Sequence, residues 1–177
     1  WLGYPNTTGL RAIDVRLVDS HTDPVGAADA RASEKLVRLD PCFVCYEPPG
    51  DAPGVGGPPS TRNGCVTFGS FNSAQKLNPR VIALWARVLG AVPRAKLVLK
   101  AVNFADEGLK REVGAWFERG GIGPERLELR GPVKERTGHL AAYHDIDIAL
   151  DTLPYAGTTT TCESLGMGVP VVTLAGE

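Results

Sequence analysis

The spacing of apolar positions changes at regular intervals along the second half of the chain. "CVTFGSF" (65–71) is a short apolar run that predicts a buried strand. In "NPRVIALWARVLGAVP", Val81, Leu84, Trp85, Val88 and Leu89 fall at i, i+3, i+4, i+7 and i+8, one face of a helix. Pro79 suits the first turn of that helix and Gly90 its end. "AKLVLKA" (95–101) predicts a strand, and "ADEGLKREVGAWFERGG" an amphipathic helix carrying Leu109, Val113, Trp116 and Phe117. "ERLELRG" (125–131) reads as a strand, "ERTGHLAAYH" as a short helix and "DIDIALDT" (145–152) as a strand. "TTTTCESLGMG" then predicts a helix and "VPVVTLA" a last strand. This alternation specifies parallel βαβ units, and so an α/β fold with a doubly wound parallel sheet. Such sheets bind ligands beyond the carboxyl ends of their strands. The loops at 70–78, 101–106, 131–136 and 152–160 are therefore where chemistry is expected.

The first part of the chain is less regular. "AIDVRLVDS" (12–20) alternates as a strand does, and "SEKLVRLDPCFVCYEP" (33–48) reads as a short helical or extended stretch leading to a Pro-containing strand. "PPGDAPGVGGPPSTRNG" (48–64) is dense in Pro and Gly and has little to bury. It is expected to be a linker, dividing residues 1–47 from residues 65–177.

Composition narrows the classes of function. A net charge of −1 provides no basic field for nucleic acid or an acidic membrane. No apolar run approaches the roughly 20 residues that span a bilayer, and no targeting pattern is visible. Cys42 and Cys45 form a C-x-x-C without a second Cys or His pair at zinc spacing, so they are expected as small residues buried in an extended segment. Cysteine usage of this kind suggests a reducing cytoplasm. The chain opens on "WLGYPNTTG" and stops at "TLAGE", and is expected to be a piece of a longer protein.

The loop after "DIDIALD" carries four consecutive threonines, Thr158 to Thr161. Hydroxyls and free N–H groups at a helix start form a donor cluster suited to a phosphate. Glu163, in the first turn or just beyond, is placed to accept from a sugar hydroxyl. A capping box, with Thr160 as N-cap and Glu163 three residues on, fits the same residues. Lys76 follows the first strand of the regular half and can point into the same crevice, where it would offset charge on a departing diphosphate. A solvated loop lysine is the plain alternative. Lys134, Arg136 and His139 lie in or just after the third loop. Asp145 and Asp147 lead into an apolar strand and read as structural rather than as a metal-binding Asp-x-Asp.

Three stretches resemble the catalytic region of the O-GlcNAc transferase family, and its SPINDLY-like branch in particular. They are "GYPNTTGL…DVRLVDSHTDP", "VTFGSFNSAQKLNPRVIALWARVL" and "DIALDTLPYAGTTTTCESLGMGVPVVTLAG". The resemblance implies a GT-B architecture of two Rossmann-like lobes. Residues 1–47 would end the first lobe and 65–177 would begin the nucleotide-sugar-binding second one. It implies an inverting, metal-independent transfer of a sugar to Ser or Thr of proteins, with no cofactor beyond the donor, UDP-GlcNAc or GDP-fucose. By motif, Lys76 would stabilise the leaving diphosphate, with Asn72 and Ser73 beside it. Val133, Arg136 and His139 would lie along the nucleoside. Gly157, Thr158, Thr159 and Thr160 would hold the diphosphate, and Glu163 the ribose. Pro5, Thr7, Thr8 and Gly9 would face donor sugar and acceptor. The animal-type enzymes have His-Thr-Thr and Asp where this chain has Thr158-Thr159-Thr160 and Glu163, and this difference leaves the donor open between GlcNAc and fucose. The resemblance further implies an upstream tetratricopeptide array, protein acceptors and a cytoplasmic or nucleocytoplasmic setting. This stretch by itself is expected to be inactive, since a cleft needs both lobes. A nucleotide-sugar-binding scaffold without activity, or a GT-B enzyme acting on small molecules, are the alternatives.

Overall fold

In the computed structural model, which describes residues 6–175, two short strands pair first: β1 (Val15–Val18) and β2 (Lys35–Arg38). They run parallel, with Val15 opposite Lys35. The chain divides between Glu47 and Pro48 into two compact units, and this pair belongs to the first. Few apolar side chains are buried in it, Val18 and Leu36 being fully enclosed. Two buried carboxylates organise its loops instead. Asp19 accepts from the backbone N–H groups of His21, Thr22 and Phe43. Glu34 accepts from the Thr7 hydroxyl at 2.8 Å, the Thr8 N–H at 2.7 Å and the Thr8 hydroxyl.

These bonds have a pH signature. Burial raises the Asp19 pKa, but hydrogen bonds from Thr22, Phe43 and His21 outweigh it and bring it from 3.8 to about 2. The Thr8 side-chain and backbone bonds, with Thr7, bring Glu34 from 4.5 to about 2. Carboxylates depressed in the folded state stabilise it above their unfolded values and lose that contribution as pH falls through the folded ones. Acidification from about pH 5 to about pH 2 is therefore expected to loosen this unit. Amide exchange should report it first at Thr8 and Thr22, whose N–H groups these carboxylates hold. Unchanged protection at those amides down to about pH 2 would refute the assignment.

Cys42 and Cys45 are exposed free thiols, not buried residues of a strand. After Leu39, whose N–H still donates to the Val18 carbonyl, the chain to residue 47 joins no strand among the described residues, and both thiols stay exposed. No helix of the described residues is long and apolar enough to cross a membrane.

The second unit opens on the Pro/Gly-rich stretch, which is not a free linker. Ser60–Asn63 (α1) forms a helical turn, and the Asp147 carboxylate accepts from the backbone N–H groups of Ser60 and Thr67. His144 donates through Nε2 to the Gly54 carbonyl at 2.9 Å, and Arg136 pairs with Asp51 at 2.6 Å. Ala52 packs on apolar residues of the sheet. Proline and glycine removed the helix and strand signals, and hydrogen bonds to distant residues replace them.

The expected alternation follows: β3 (Thr67–Ser70), α2 (Pro79–Ala91), β4 (Lys96–Lys100), α3 (Glu107–Arg119) and β5 (Leu127–Arg130). Then come α4 (Arg136–Ala141), β6 (Ile148–Leu150), α5 (Thr159–Gly166) and β7 (Val171–Val172). Asn78 caps α2, its side chain accepting from Arg80 and Val81, with Pro79 in the first turn. Asp106 caps α3 through the N–H of Leu109. All five strands pair in parallel, in the order β5-β4-β3-β6-β7. Because side chains alternate along a strand, Leu97 and Leu99 enter one core with Val81, Trp85, Leu89, Val113 and Phe117 from α2 and α3. Val98 enters the opposite core with Leu140, Tyr143, Ile146 and Met167. Helices thus cover both faces, as the periodicity predicted.

Candidate active site

From β3 the chain proceeds outward to β4 and β5 on one side, and later to β6 and β7 on the other. The order reverses between β3 and β6. At such a switch point the loops leaving neighbouring strands turn to opposite faces and open a crevice. Of the four loops expected to carry chemistry, two meet here: the one after β3, with Asn72 to Lys76, and the one after β6, with Asp151 to Thr158.

Asp151, at the end of β6, ties the crevice together. Its Oδ1 accepts from the N–H groups of Thr152 at 2.9 Å and Gly157 at 2.7 Å, and its Oδ2 from the Thr173 hydroxyl at 3.0 Å. The Asn72 side-chain amide lies at 3.4 Å from the same carboxylate. The Asn72 oxygen in turn accepts from Lys76 Nζ at 3.1 Å and the Thr160 hydroxyl at 3.0 Å. Lys76 also donates to the Ala156 carbonyl at 2.9 Å and sits 4.5 Å from the centre of the Tyr155 ring. Asn78 donates to the carbonyls of Lys76 and Leu153, joining the two loops again. An open depression of about 350 Å³ lies here, lined by Ser73, Lys76, Asn78, Leu153, Pro154 and Tyr155. The Leu153-Pro154 peptide is cis. Ser73 is exposed and caps the turn at 74–76 by accepting from Gln75.

Gly157 is required by space. A Cβ there would stand 2.4 Å from the Thr160 hydroxyl and 3.0 Å from the Asn72 oxygen. Thr158 is the N-cap of α5 and makes no side-chain capping bond, while Thr159 is exposed. The first N–H groups of α5 have no intrahelical acceptor, so the positive end of the helix opens beside Lys76. Burial pushes the Lys76 ammonium below the ordinary lysine range, against the opposing pull of Asp151. A fixed cation and a helix N-terminus side by side can hold a diphosphate and stabilise the charge it gains on leaving.

The capping box is not formed. Thr160 lies inside α5 with its hydroxyl on Asn72, and Glu163 reaches sideways to His139 and Tyr143. His139 Nε2 is 3.0 Å from Glu163 Oε2, and the Tyr143 hydroxyl shares its proton between the Thr160 carbonyl at 3.2 Å and the same Glu163 oxygen at 3.3 Å. On the other side of the imidazole, Nδ1 meets Lys100 Nζ. The structure therefore brings together Asn72, Lys76, Gly157 and Thr160, and joins His139 to Glu163. Arg136 is exposed and paired with Asp51, and Val133 is exposed, its side chain against Gly138. Thr7 and Thr8 are fixed by Glu34 within the first unit, with Gly9 at φ +66, while Pro5 lies outside the described residues. Asp145 pairs with Arg130, and Asp147 holds backbone N–H groups, so both acidic residues are structural. Asp151, Asn78, Lys100 and Tyr143 were not singled out by sequence. A charged residue directly ending an apolar strand, as in "LVLK" and "IALD", was the available signal for two of them.

Comparison with known proteins extends this picture. Residues 60–177 match the model of glycosyl transferase family 41. The chain is 47% identical over 177 residues to the Arabidopsis thaliana SPINDLY protein, described as a probable UDP-N-acetylglucosamine–peptide N-acetylglucosaminyltransferase. It is 29% identical to the Arabidopsis SEC protein over 185 residues. It covers all of its own length in the SPINDLY match but 19% of that relative, so it corresponds to about a fifth of the larger protein. Among solved structures, a mutant of the Thermobaculum terrenum O-GlcNAc transferase superposes with a TM-score of 0.90 at 44% identity, covering 98% of this chain and 32% of that one.

Proposed function

Since the chain belongs to glycosyl transferase family 41, we propose that it is the part of a protein O-glycosyltransferase that grips the nucleotide diphosphate of the donor. One observation carries this reading: Lys76 and the N-terminus of α5 converge at the switch point of the sheet. An acceptor Ser or Thr hydroxyl attacks C1 of the donor sugar and gives up its proton to solvent, while the C1–oxygen bond breaks with inversion and its electron pair leaves on the diphosphate. Lys76 and the N–H groups of Thr158, Thr159 and Thr160 take up the charge on the leaving group. Glu163 and His139 hold the nucleoside side, flanked by Val133 and Arg136. The loop of Thr7, Thr8 and Gly9 is assigned to the first lobe of a GT-B enzyme. The positive charge comes from the protein, so the reaction is written without a metal. The whole enzyme carries a tetratricopeptide array and works in the cytoplasm, a reading that the four free thiols suit.

UDP-GlcNAc is the first donor assigned, in line with the activity named for the SPINDLY relative. The Thr158-Thr159-Thr160 run with Glu163 favours GDP-fucose as the second. Calorimetric titration of the full-length protein with both donors in parallel should show one binding at least about tenfold more tightly. The same donor should label Ser or Thr of a protein pool. Binding without transfer to any protein would replace the enzyme reading with that of a nucleotide-sugar-binding scaffold.

A further inference from the structure

Lys100 ends β4 only 5% exposed, and it is the buried basic residue among the described residues. A solvent-shielded lysine is costly unless its charge is used, and an apolar side chain would pack there at no such cost. Its Nζ meets His139 Nδ1 and lies 5.0 Å from the centre of the Phe71 ring. An ammonium has hydrogens and no lone pair, so Nδ1 must accept and the ring proton stays on Nε2. That Nε2–H points at Glu163 Oε2, 3.0 Å away, and the Tyr143 hydroxyl, its one proton shared with the Thr160 carbonyl at 3.2 Å, lies 3.3 Å from the same oxygen. Both contacts, from His139 and from the shared Tyr143 hydroxyl, fall on Oε2, and among the described residues Oε1 accepts no hydrogen bond. With the proton on Nδ1 instead, the Nε2 lone pair would face the carboxylate, and the two would repel. Burial pushes the Lys100 ammonium down and Arg130 pushes it further, while Glu163 opposes both. The carboxylate at one end of the chain of contacts thus sustains the cation at the other.

We propose that Lys100 is a positioning residue for donor recognition: it locks His139 in the Nε2–H form, which holds Glu163 by Oε2 and leaves Oε1 to accept from a ribose hydroxyl. This rests on the assignment of Glu163 to the ribose made above. The test compares affinities of the full-length protein for UDP, GDP, their 2′,3′-dideoxy analogues and inorganic pyrophosphate, in wild type, Lys100→Met and Lys100→Arg. In the wild type, whichever nucleotide binds should be preferred over its dideoxy form by about tenfold or more. Lys100→Met should reduce that preference about tenfold with pyrophosphate affinity unchanged, and Lys100→Arg, which keeps a donor for Nδ1, should retain most of it. No preference in the wild type would defeat the ribose assignment itself. A wild-type preference that persists in Lys100→Met overturns the role of Lys100 alone. Equal loss in both variants assigns the effect to packing, and loss of pyrophosphate binding in Lys100→Met makes the residue a general scaffold; either result overturns the proposal.

Discussion

Lys76→Ala in the full-length protein is expected to lower sugar transfer about a thousandfold while leaving the fold intact. The ammonium is the charged donor of the crevice, held by Asn72 and the Ala156 carbonyl and packed over Tyr155. In the proposed role, its interaction with the departing diphosphate strengthens as the sugar–oxygen bond breaks, so its loss is expected mainly in kcat. Half-buried at the rim of the sheet, Lys76 contributes little to the core. Circular dichroism and unfolding midpoint should therefore stay near wild type, within about 1 kcal/mol. The ammonium is pushed below its ordinary value of 10.5 by burial. Rising pH should thus discharge it early in the free enzyme, and the alkaline limb of the kcat/KM profile should fall below that value. Near-normal turnover in the alanine variant would end the assignment.

Asp151→Ala is expected to damage stability and nucleotide binding together. The residue is 9% exposed, and its carboxylate serves the N–H groups of Thr152 and Gly157, the Thr173 hydroxyl and the Asn72 amide. Alanine strands the two backbone donors, each at a cost of about 1–3 kcal/mol where water cannot replace the acceptor. We expect a loss of about 2–4 kcal/mol in urea unfolding and about a hundredfold in nucleoside diphosphate affinity, because the loops bearing Lys76 and Gly157 lose their common anchor. Asp151→Asn keeps one acceptor and should fall between. A variant with wild-type midpoint and affinity would show that the loops hold their positions independently of this carboxylate.

These two residues also mark how much the sequence discloses. The helix at 79–91 was legible because Val81, Trp85 and Leu89 recur with helical spacing and are all buried, with Leu84 and Val88 partly so. Lys76 and the threonines were legible because a βαβ pattern says which loops lie at the carboxyl ends of strands. Asp151 and Lys100 carry no such mark: their partners are set by strand order, which periodicity does not encode. Lys100 meets a histidine 39 positions away only because β4 and α4 are brought together by the sheet. Local rules also misled where a distant partner prevailed. Thr160 and Glu163 have capping-box spacing, yet Asn72, His139 and Tyr143 claim their side chains. Cys42 and Cys45 looked like core residues by type, but the first unit has no strand at that point to bury them.

The anchoring of the Pro/Gly-rich stretch sets where this protein divides. Composition invites a cut just before β3, at the end of the glycines and prolines. Such a cut would take away the Ser60 N–H that shares Asp147, the carbonyl that receives His144, and the carboxylate that pairs with Arg136. Severing the chain ahead of Pro48 preserves all three. The modular unit available for grafting or recombination thus begins some way upstream of its first strand, at a seam traced by hydrogen bonds.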